Sequence, residues 1–284
     1  MLQSFRHIKS RIKSIESTRK LTRAMEMVSI AKLKRAQAAF EKSGKYIFKV
    51  EALLKNVLSS SEKISHPFFE ERTDKKNILL CVIASDTGLC GPYNHSIIRA
   101  TESFLKDYQQ DKVRIVAVGK KAFIHFKRKG FNVSHSYVGL NGRFSSEICG
   151  KMLKIFIDMF LSKEVDEVYA AYTSPQTASR RKPVIEKLLN IDMPKIKKIE
   201  YIYESTMGSI LDDLAPLYLS NKIKAIMLNS FTSEHQARAI AMGEATENAT
   251  DLLSSLILMR NKVRQANITK EMLEIISSAE ALKG

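Results

Sequence analysis

The best candidates for catalytic or ligand-binding residues lie in the stretch SDTGLCGPYN, at positions 85–94. It holds Ser85, Asp86 and Cys90, and it follows the apolar run ILLCVIA. Backbone amides in a strand-to-helix turn of this kind can bind an anion. A nucleophilic Cys90 would need a nearby base, such as His95. The stretch is therefore the first candidate for a nucleotide pocket or a catalytic cysteine.

The same stretch has a simpler interpretation as a structural turn. It does not contain GxGxxG, and the pattern GxxxxGK[ST] does not occur in the chain. Gly88 and Gly91 supply backbone freedom on either side of Cys90. We therefore predict a structural turn formed by Gly88, Cys90 and Gly91, with the nucleotide pocket as the weaker alternative, and we expect no cofactor.

Histidines and cysteines give no sign of a metal centre. The six histidines lack HxxxH or HExxH spacing, and the three cysteines lack CxxC spacing. An odd, sparse set of cysteines also argues against a disulfide framework. We expect a reducing compartment and no catalytic, metal or cofactor-binding residues.

Charge is the strongest compositional signal. The 284 residues include 46 Lys and Arg against 30 Asp and Glu, for a formal net charge of +16. Such an excess indicates an acidic partner or surface. The basic runs KRK (127–129) and RRK (180–182) are not interleaved with aromatic residues as in nucleic-acid-binding surfaces, so we expect no nucleic-acid partner.

The chain begins with a long amphipathic helical pattern, from about residue 4 to 58. It contains no proline, its first glycine is Gly44, and apolar residues recur at steps of three and four. Residues 1–45 carry 12 Lys and Arg against 3 Asp and Glu. We predict a helix with a narrow apolar stripe and a basic outer face.

Between residues 76 and 204 the periodicity changes to that of an α/β domain. Apolar or β-rich runs alternate with helical segments, which favours a small domain on a largely parallel sheet. The predicted strands are 77–85, 112–119, 131–139, 164–174 and 197–204, and the predicted helices are 94–108, 120–130 and 145–163.

The helical pattern returns from residue 209 to 284. Pro216 is expected in a first turn or at a kink, and Gly243 is the only later helix breaker before Gly284. The spacing of Leu252, Leu256, Met259, Val263 and Ala266 predicts a coiled-coil seam.

The two terminal helices are too long to lie inside the α/β domain. As single helices they would be roughly 80 and 100 Å long, whereas a compact globule of this size has a radius of gyration of about 19 Å. We predict an α/β fold class with a long antiparallel coiled coil of N- and C-terminal helices and an inserted Rossmann-like domain. The expected division is 1–58, 76–204 and 209–284, with Met25 near Val263.

Neither a secretory signal nor a membrane span is expected. The N-terminus lacks an apolar core of 7–15 residues, and the longest apolar runs are far short of the ~18–20 residues that a span needs. Any membrane association should go through partners or surface charge.

Three motifs resemble the gamma subunit of F-type ATP synthases. IKSRIKSIESTRKLTRAMEMVSIAKLKRAQ is similar to the basic N-terminus of that family, and SDTGLCG is similar to its SDRGLCG. SEHQARAIAMGEATENATDLL and RNKVRQANITKEMLEII are similar to its C-terminal motifs. The motifs span both ends and the middle of the chain in the family's order, although the domain beyond residue 94 matches only in pattern.

The resemblance implies a rotating central stalk that couples ion flow through a membrane c-ring to ATP synthesis or hydrolysis on beta subunits. Its partners would be the alpha, beta and epsilon subunits and the c-ring. Its place would be peripheral, on the cytoplasmic face of a bacterial inner membrane. On this interpretation the chain has no catalytic site of its own, and its basic surface faces acidic loops of the beta subunits.

Family roles can be carried over to matching positions. The resemblance implies that six residues contact the beta subunits: Met25, Arg238, Arg264, Gln265, Thr269 and Glu271. The chain departs from the family at His235, where Gln is usual, at Thr87, where Arg is usual, and at Pro92, which follows the turn.

Two other classes of protein remain as alternatives. One is a basic coiled-coil scaffold or nucleic-acid-binding rod, which should be basic on both helices. Residues 209–284 instead carry 8 Lys and Arg against 9 Asp and Glu. The other is a nucleotide-using α/β enzyme that dimerises through its helices, which should bind ATP as an isolated chain.

Overall fold

A computed structural model describes residues 5–59, 66–70, 72, 77–175, 181–191 and 206–281. Five helices and five strands make up the main elements of these segments. The helices are α1 (Phe5–Ser59), α2 (Tyr93–Leu105), α3 (Lys120–Arg128), α4 (Ser146–Leu161) and α5 (Met207–Ala281). The strands are β1 (Ile78–Ile83), β2 (Val113–Val118), β3 (Asn132–Tyr137), β4 (Glu167–Pro175) and β5 (Arg181–Leu189).

The chain divides into two compact units. One comprises residues 1–28 and 239–284, and the other comprises residues 29–238. Both long helices contribute to each unit, so these boundaries differ from the three segments expected from the sequence. The division into 1–58, 76–204 and 209–284 remains a prediction.

Unit 29–238 is built on a five-stranded sheet with the order β3-β2-β1-β4-β5. The first four strands are parallel, and β5 pairs antiparallel with β4 at one edge. The predicted α/β fold class with a largely parallel sheet is confirmed. The expected strand at 197–204 lies outside the described residues.

Strand β5 was not predicted because its sequence, RKPVIEKLL, does not resemble a buried strand. It contains Pro183 and several charged residues. An antiparallel edge strand tolerates both, since proline is confined to edges and bulges and one edge lacks a neighbouring strand.

Alternation along β1 directs side chains to two separate cores. Ile78, Leu80 and Val82 pack with apolar residues of α2 and α3 on one face of the sheet. Leu79, Cys81 and Ile83 pack on the other face with α4 and with those residues of α1 and α5 that belong to unit 29–238. All six β1 residues are buried, which explains why the strand reads as a continuous apolar run.

In unit 1–28/239–284 the two long helices pair antiparallel. Ile8 and Ile12 form a buried cluster with Leu253 and Leu256, against which Ile15 and Val263 pack. Further along, Thr246 Oγ1 donates a hydrogen bond to Thr22 Oγ1 at 2.9 Å. The predicted antiparallel pairing is therefore confirmed within this unit.

The seam predicted from the sequence is partly wrong. Leu253 is buried, whereas Leu252 and Met259 are 38% and 41% exposed. The buried residues Ala249, Leu253 and Leu256 are spaced by four and three residues, so periodicity alone could not choose between neighbouring stripes. The expected pairing of Met25 with Val263 is also wrong, because Val263 packs in the cluster of Ile8 and Ile12.

Helix α5 is continuous through both predicted breakers. Pro216 lies inside the helix, beyond its first turn. A Cβ added at Gly243 would meet only Glu26, at an ordinary contact distance of 3.5 Å. Tertiary packing therefore overrides the low helix propensity of both residues.

Candidate functional site

The carboxyl ends of β1 and β4 are the first place to look for a ligand site. Strands β2 and β3 lie on one side of β1, and β4 and β5 lie on the other side. The strand order therefore reverses its direction between β1 and β4. Doubly wound sheets bind ligands in the crevice at such a point. The stretch SDTGLCGPYN follows β1 directly into this crevice.

Side chains of α5 fill this crevice. Ser233 Oγ donates to the carbonyl of Thr173 near the end of β4, at 3.0 Å. Tyr93 Oη lies 2.8 Å from Ser230 Oγ and 3.2 Å from the Ser230 carbonyl. All of these side chains are buried, so helix α5 occupies the place that a nucleotide would take.

Asp86 satisfies the backbone amides that could otherwise bind an anion. Its carboxylate accepts from the amide of Lys120, the first residue of α3, at 3.0 Å. It also accepts from the amides of Gly139 and Asn141 at 2.9 and 2.7 Å. A carboxylate at a helix N-terminus is favoured by the helix dipole, and here it ties β1 to the loop after β3.

Arg238 is the centre of the contacts between α5 and the turn. Its Nη1 donates to Glu234 Oε1 at 2.8 Å, and the two side chains are only 8% and 2% exposed. Its Nη2 donates to Thr87 O and Oγ1 at 3.2 and 3.1 Å, and its Nε donates to Gly88 O at 3.3 Å. Arg238 therefore faces inward and joins α5 to the turn.

Glu234 is partnered on only one of its oxygens. Oε2 is buried and accepts no hydrogen bond from the described residues. Burial raises the pKa of this carboxyl, and the positive charge of Arg238 opposes that rise. The arginine is consequently what makes a buried carboxylate tolerable at this position.

His235 links α5 to the loop after β3. Its Nε2 lies 3.0 Å from the carbonyl of Gly142, so that nitrogen carries the donated proton. Burial lowers the pKa of His235 to about 4, and the charges of Arg238 and Lys32 act in the same direction. The side chain is therefore neutral near pH 7.

These residues of 29–238 form what we call the polar junction: Asp86, Thr87, Gly142, Glu234, His235 and Arg238. It connects the turn after β1, the loop after β3 and helix α5. Its geometry is that of a structural connection between these three elements.

Only one of the two glycines in the predicted turn has a backbone conformation that favours glycine. Gly91 has φ of 55°, in the left-handed region that favours glycine, and Leu89 has φ of 59°. Gly88 has no such φ, and a Cβ there would meet nothing within 4 Å. The structure therefore gives Gly91, but not Gly88, a conformational role.

Cys90 is buried among polar groups that are not bases. Asn94 Nδ2 lies 3.1 Å from its Sγ, and Ser85 Oγ lies 3.8 Å away. Asn94 is in turn fixed by the amide and hydroxyl of Ser85. His95, the base considered from the sequence, is exposed.

Four of the predicted partner-contact residues lie on an exposed stretch of α5. Every residue from 264 to 281 is exposed, including Arg264, Gln265, Thr269 and Glu271. Thr269 Oγ1 donates to the Gln265 carbonyl at 3.0 Å. Large apolar residues on the same stretch are also 45–66% exposed, namely Ile268, Met272, Leu273, Ile275 and Ile276.

Met25 and Arg238 differ from these four residues. Met25 is half-buried, whereas its neighbour Met27 is 60% exposed. Arg238 is buried in the polar junction. None of the six assignments to beta-subunit contacts is tested by the isolated chain, and all six stay predictions.

The described segments show no group of three or more His, Cys, Asp or Glu residues arranged to hold a metal ion. None of the helices within them is both long enough and apolar enough to cross a membrane.

Comparison with known proteins identifies the family. The family model described as ATP synthase matches residues 4–282. The ATP synthase gamma chain of Protochlamydia amoebophila is 38% identical, over 99% of this chain and all of that protein. The ATP synthase gamma chain of Pelotomaculum thermopropionicum is 36% identical with the same coverage.

The chain belongs to the ATP synthase gamma chain family. Its fold is also that of a chain in the Euglena gracilis mitochondrial ATP synthase assembly of OSCP, F1 and c-ring, with a TM-score of 0.69 at 17% identity. That match covers 98% of this chain and 94% of the other. A chain in the rotor of the same organism's enzyme matches with a TM-score of 0.65 at 16% identity. The family and the fold predicted from the sequence motifs are thus confirmed.

Sequence reasoning missed most of the polar junction. The motif SEHQAR was singled out for Arg238, but Glu234 four residues earlier was not considered as its partner. A Glu and an Arg at i and i+4 on one helix face are a recognisable ion-pair spacing. Nothing in the sequence signalled that Asp86 would accept amides from residues more than 30 positions away.

Proposed function

We propose that this chain is the rotating central-stalk subunit of an F-type ATP synthase. It would couple ion flow through a membrane c-ring to ATP synthesis or hydrolysis on the beta subunits. Its partners would be the alpha, beta and epsilon subunits and the c-ring. The protein would be held at the cytoplasmic face of a bacterial inner membrane through these partners.

The exposed end of α5 is the observation that carries this proposal. A free helix whose large apolar residues are all open to solvent marks an interaction surface. In residues 264–281 the large apolar side chains, at positions 268, 272, 273, 275 and 276, share one broad face of the helix. A helix that is uniformly exposed in the isolated chain fits a position inside a surrounding ring of subunits.

Basic residues on α1 support an acidic partner for the adjoining surface. A groove of about 490 Å³ in unit 1–28/239–284 is lined by Arg19, Lys20 and Arg23, with Met27, Thr246 and Thr250. Charges in such exposed positions guide association and are screened by salt. We propose that these residues and Met25 face acidic loops of the beta subunits.

We propose that Arg264 and Gln265 make polar contacts to a beta subunit, supported by Thr269 and Glu271. Arg238 would act differently, since its guanidinium is enclosed by Glu234 and the turn. We propose that it supports the stalk surface from inside the chain.

We also propose that the chain has no catalytic site of its own. The crevice at β1 and β4 is filled by α5, and the anion position at α3 is taken by Asp86. This arrangement disfavours the alternative of a nucleotide-using enzyme. Equilibrium dialysis that detected tight ATP binding by the isolated chain would revive that alternative.

Co-purification tests the proposal directly. A tagged chain expressed in its own organism should bring down alpha, beta and epsilon subunits in fixed ratio. The Arg264→Ala, Gln265→Ala double variant should assemble but pump fewer ions per ATP hydrolysed, whereas Lys154→Ala, at an exposed position of α4, should behave like wild type. Recovery of nucleic acid or of the chain alone would contradict the proposal.

A further inference from the structure

A cavity in unit 29–238 borders the polar junction at Gly142 and plays no part in the function proposed above. Its volume is about 430 Å³, within the range of small-molecule pockets. Three elements wall it: α1, the loop after β3, and α5. The lining residues are Lys32, Arg35, Ala36, Ala39, Gly142, Arg143, Phe144, Leu228 and Phe231.

The floor of this cavity is apolar. Phe231 and Ala36 are buried, and Phe144 is half-buried against the core. Leu228 from α5 completes the floor. Such a surface would take the apolar body of a ligand with a gain proportional to the area covered.

Cations alone make up the charged part of the wall. Lys32, Arg35 and Arg143 line the cavity, and none of the described lining residues is acidic. Lys32 Nζ donates one hydrogen bond, to the Asn141 carbonyl at 3.3 Å, and has two further N–H groups to offer. Within the described residues Arg35 and Arg143 have no ion-pair partner.

The carboxylate that acts on Lys32 is paired with another residue. Glu234 acts electrostatically on Lys32, but its Oε1 is paired with Arg238. Burial lowers the pKa of Lys32, and the charges of Arg143 and Arg238 lower it further. An anion placed between Lys32 and Arg143 would relieve this repulsion.

We propose that this cavity binds a small amphipathic organic anion, a carboxylate carrying an apolar body. The carboxylate would accept hydrogen bonds from Lys32 and Arg143, and the apolar body would lie against Phe144, Leu228 and Phe231. Since the walls come from α1, α5 and the loop after β3, a bound ligand would connect all three elements. The binding does not depend on assembly with other subunits.

The absence of tryptophan from the chain allows a direct assay. Phe144→Trp places a single tryptophan at the cavity wall in the full-length protein. Octanoate is the probe, and octanamide is its uncharged match with the same apolar body. Octanoate should change the tryptophan emission saturably and bind about tenfold more tightly than octanamide, because hydrogen bonds to a charged group are the stronger ones.

Charge variants made in the Phe144→Trp protein identify the anion contacts. Arg143→Gln changes an exposed side chain, so folding is preserved, and it should weaken octanoate binding about tenfold while leaving octanamide unaffected. Lys32→Gln should act in the same direction. Lys154→Gln, at an exposed position of α4, should have no effect. Equal binding of octanoate and octanamide, or full octanoate affinity in Arg143→Gln, would overturn the proposal.

Discussion

Arg238 stabilises the polar junction because it supplies the counter-charge to the buried Glu234 carboxylate. The Arg238→Gln variant leaves the Glu234 carboxylate buried without its counter-charge. Breaking a buried pair in this way costs about 3 kcal/mol. We expect the free energy of unfolding in urea at pH 7.5 to fall by roughly that amount, whereas Arg264→Gln, at an exposed position, should change it by less than about 0.5 kcal/mol.

A double variant separates this explanation from a simple loss of packing. Replacing both partners, Arg238→Gln with Glu234→Gln, removes the unpaired charge, so it should be more stable than Arg238→Gln alone. A double variant no more stable than the single variant would show that the ion pair is not the source of the effect.

His235 should give stability a specific dependence on pH. Its pKa is about 4 in the folded chain, below the ordinary value of about 6.5. The unfolded chain therefore takes up a proton first, and stability present above pH 6.5 is lost as the pH falls towards 4, by at most about 3 kcal/mol.

The neighbouring charged groups are Glu234, Arg238 and Lys32. Because they also respond to pH or repel the protonated ring, the wild type must be compared with a variant that lacks the imidazole. The His235→Gln variant keeps a donor for the Gly142 carbonyl and lacks the titrating group. Chemical denaturation between pH 7 and pH 4 should show a steeper loss for wild type than for His235→Gln. Parallel pH profiles would contradict the assignment.

At the scale of elements, the loop after β3 depends on a glycine at one position. Gly142 has φ of 69°, and an added Cβ would lie 2.6 Å from Cε1 of His235. Gly142→Ala must therefore displace the ring as well as adopt a strained backbone, and we expect a loss of 2 kcal/mol or more, about the cost of strain plus a broken hydrogen bond.

Gly139→Ala is the matched control for this prediction. Gly139 has φ of 85°, but a Cβ there would meet nothing within 4 Å. It shares the backbone strain and lacks the clash, so thermal unfolding should show a smaller loss for Gly139→Ala than for Gly142→Ala. Equal losses of stability in the two variants would mean that the His235 ring moves aside without a free-energy cost.

Register is the other testable property of the elements. Thr22 and Thr246 touch through their hydroxyls at 2.9 Å, so Thr22→Cys with Thr246→Cys should form a disulfide under mild oxidation. Met25→Cys with Val263→Cys should not, because Val263 packs with Ile12, about 20 Å along α1 from position 25. The native cysteines are buried. Mobility on non-reducing gels distinguishes the outcomes, and cross-linking of the second pair alone would contradict the register.

Local sequence patterns predicted most helices and strands well, but they predicted poorly which side chains of these elements contact one another. The apolar run of β1 and the proline-free stretch of α1 each contain enough periodicity to indicate their own structure. Leu252 and Leu253 show the limit, since two adjacent stripes fit the same spacing and only the partner helix selects between them. The inward position of Arg238 could not be predicted either, because it depends on the turn that contributes Thr87, 151 positions away.

At the scale of the whole molecule, the described chain leaves one long helical segment without internal partners. The residues of 264–281 are exposed although they include five large apolar side chains. Family membership supplies a reason for this exposure, since partner subunits would cover the segment. The net charge of +16 is consistent with association through acidic partner surfaces.

The proposed function requires that this chain rotate within an assembled complex. Lys154→Cys introduces an attachment point for a visible probe at an exposed position of α4, and the complex that we propose this chain forms with alpha and beta subunits can be fixed to a surface. On addition of ATP, we predict unidirectional rotation of the probe. Steady ATP hydrolysis by the assembled complex with a stationary probe would contradict the proposed rotation.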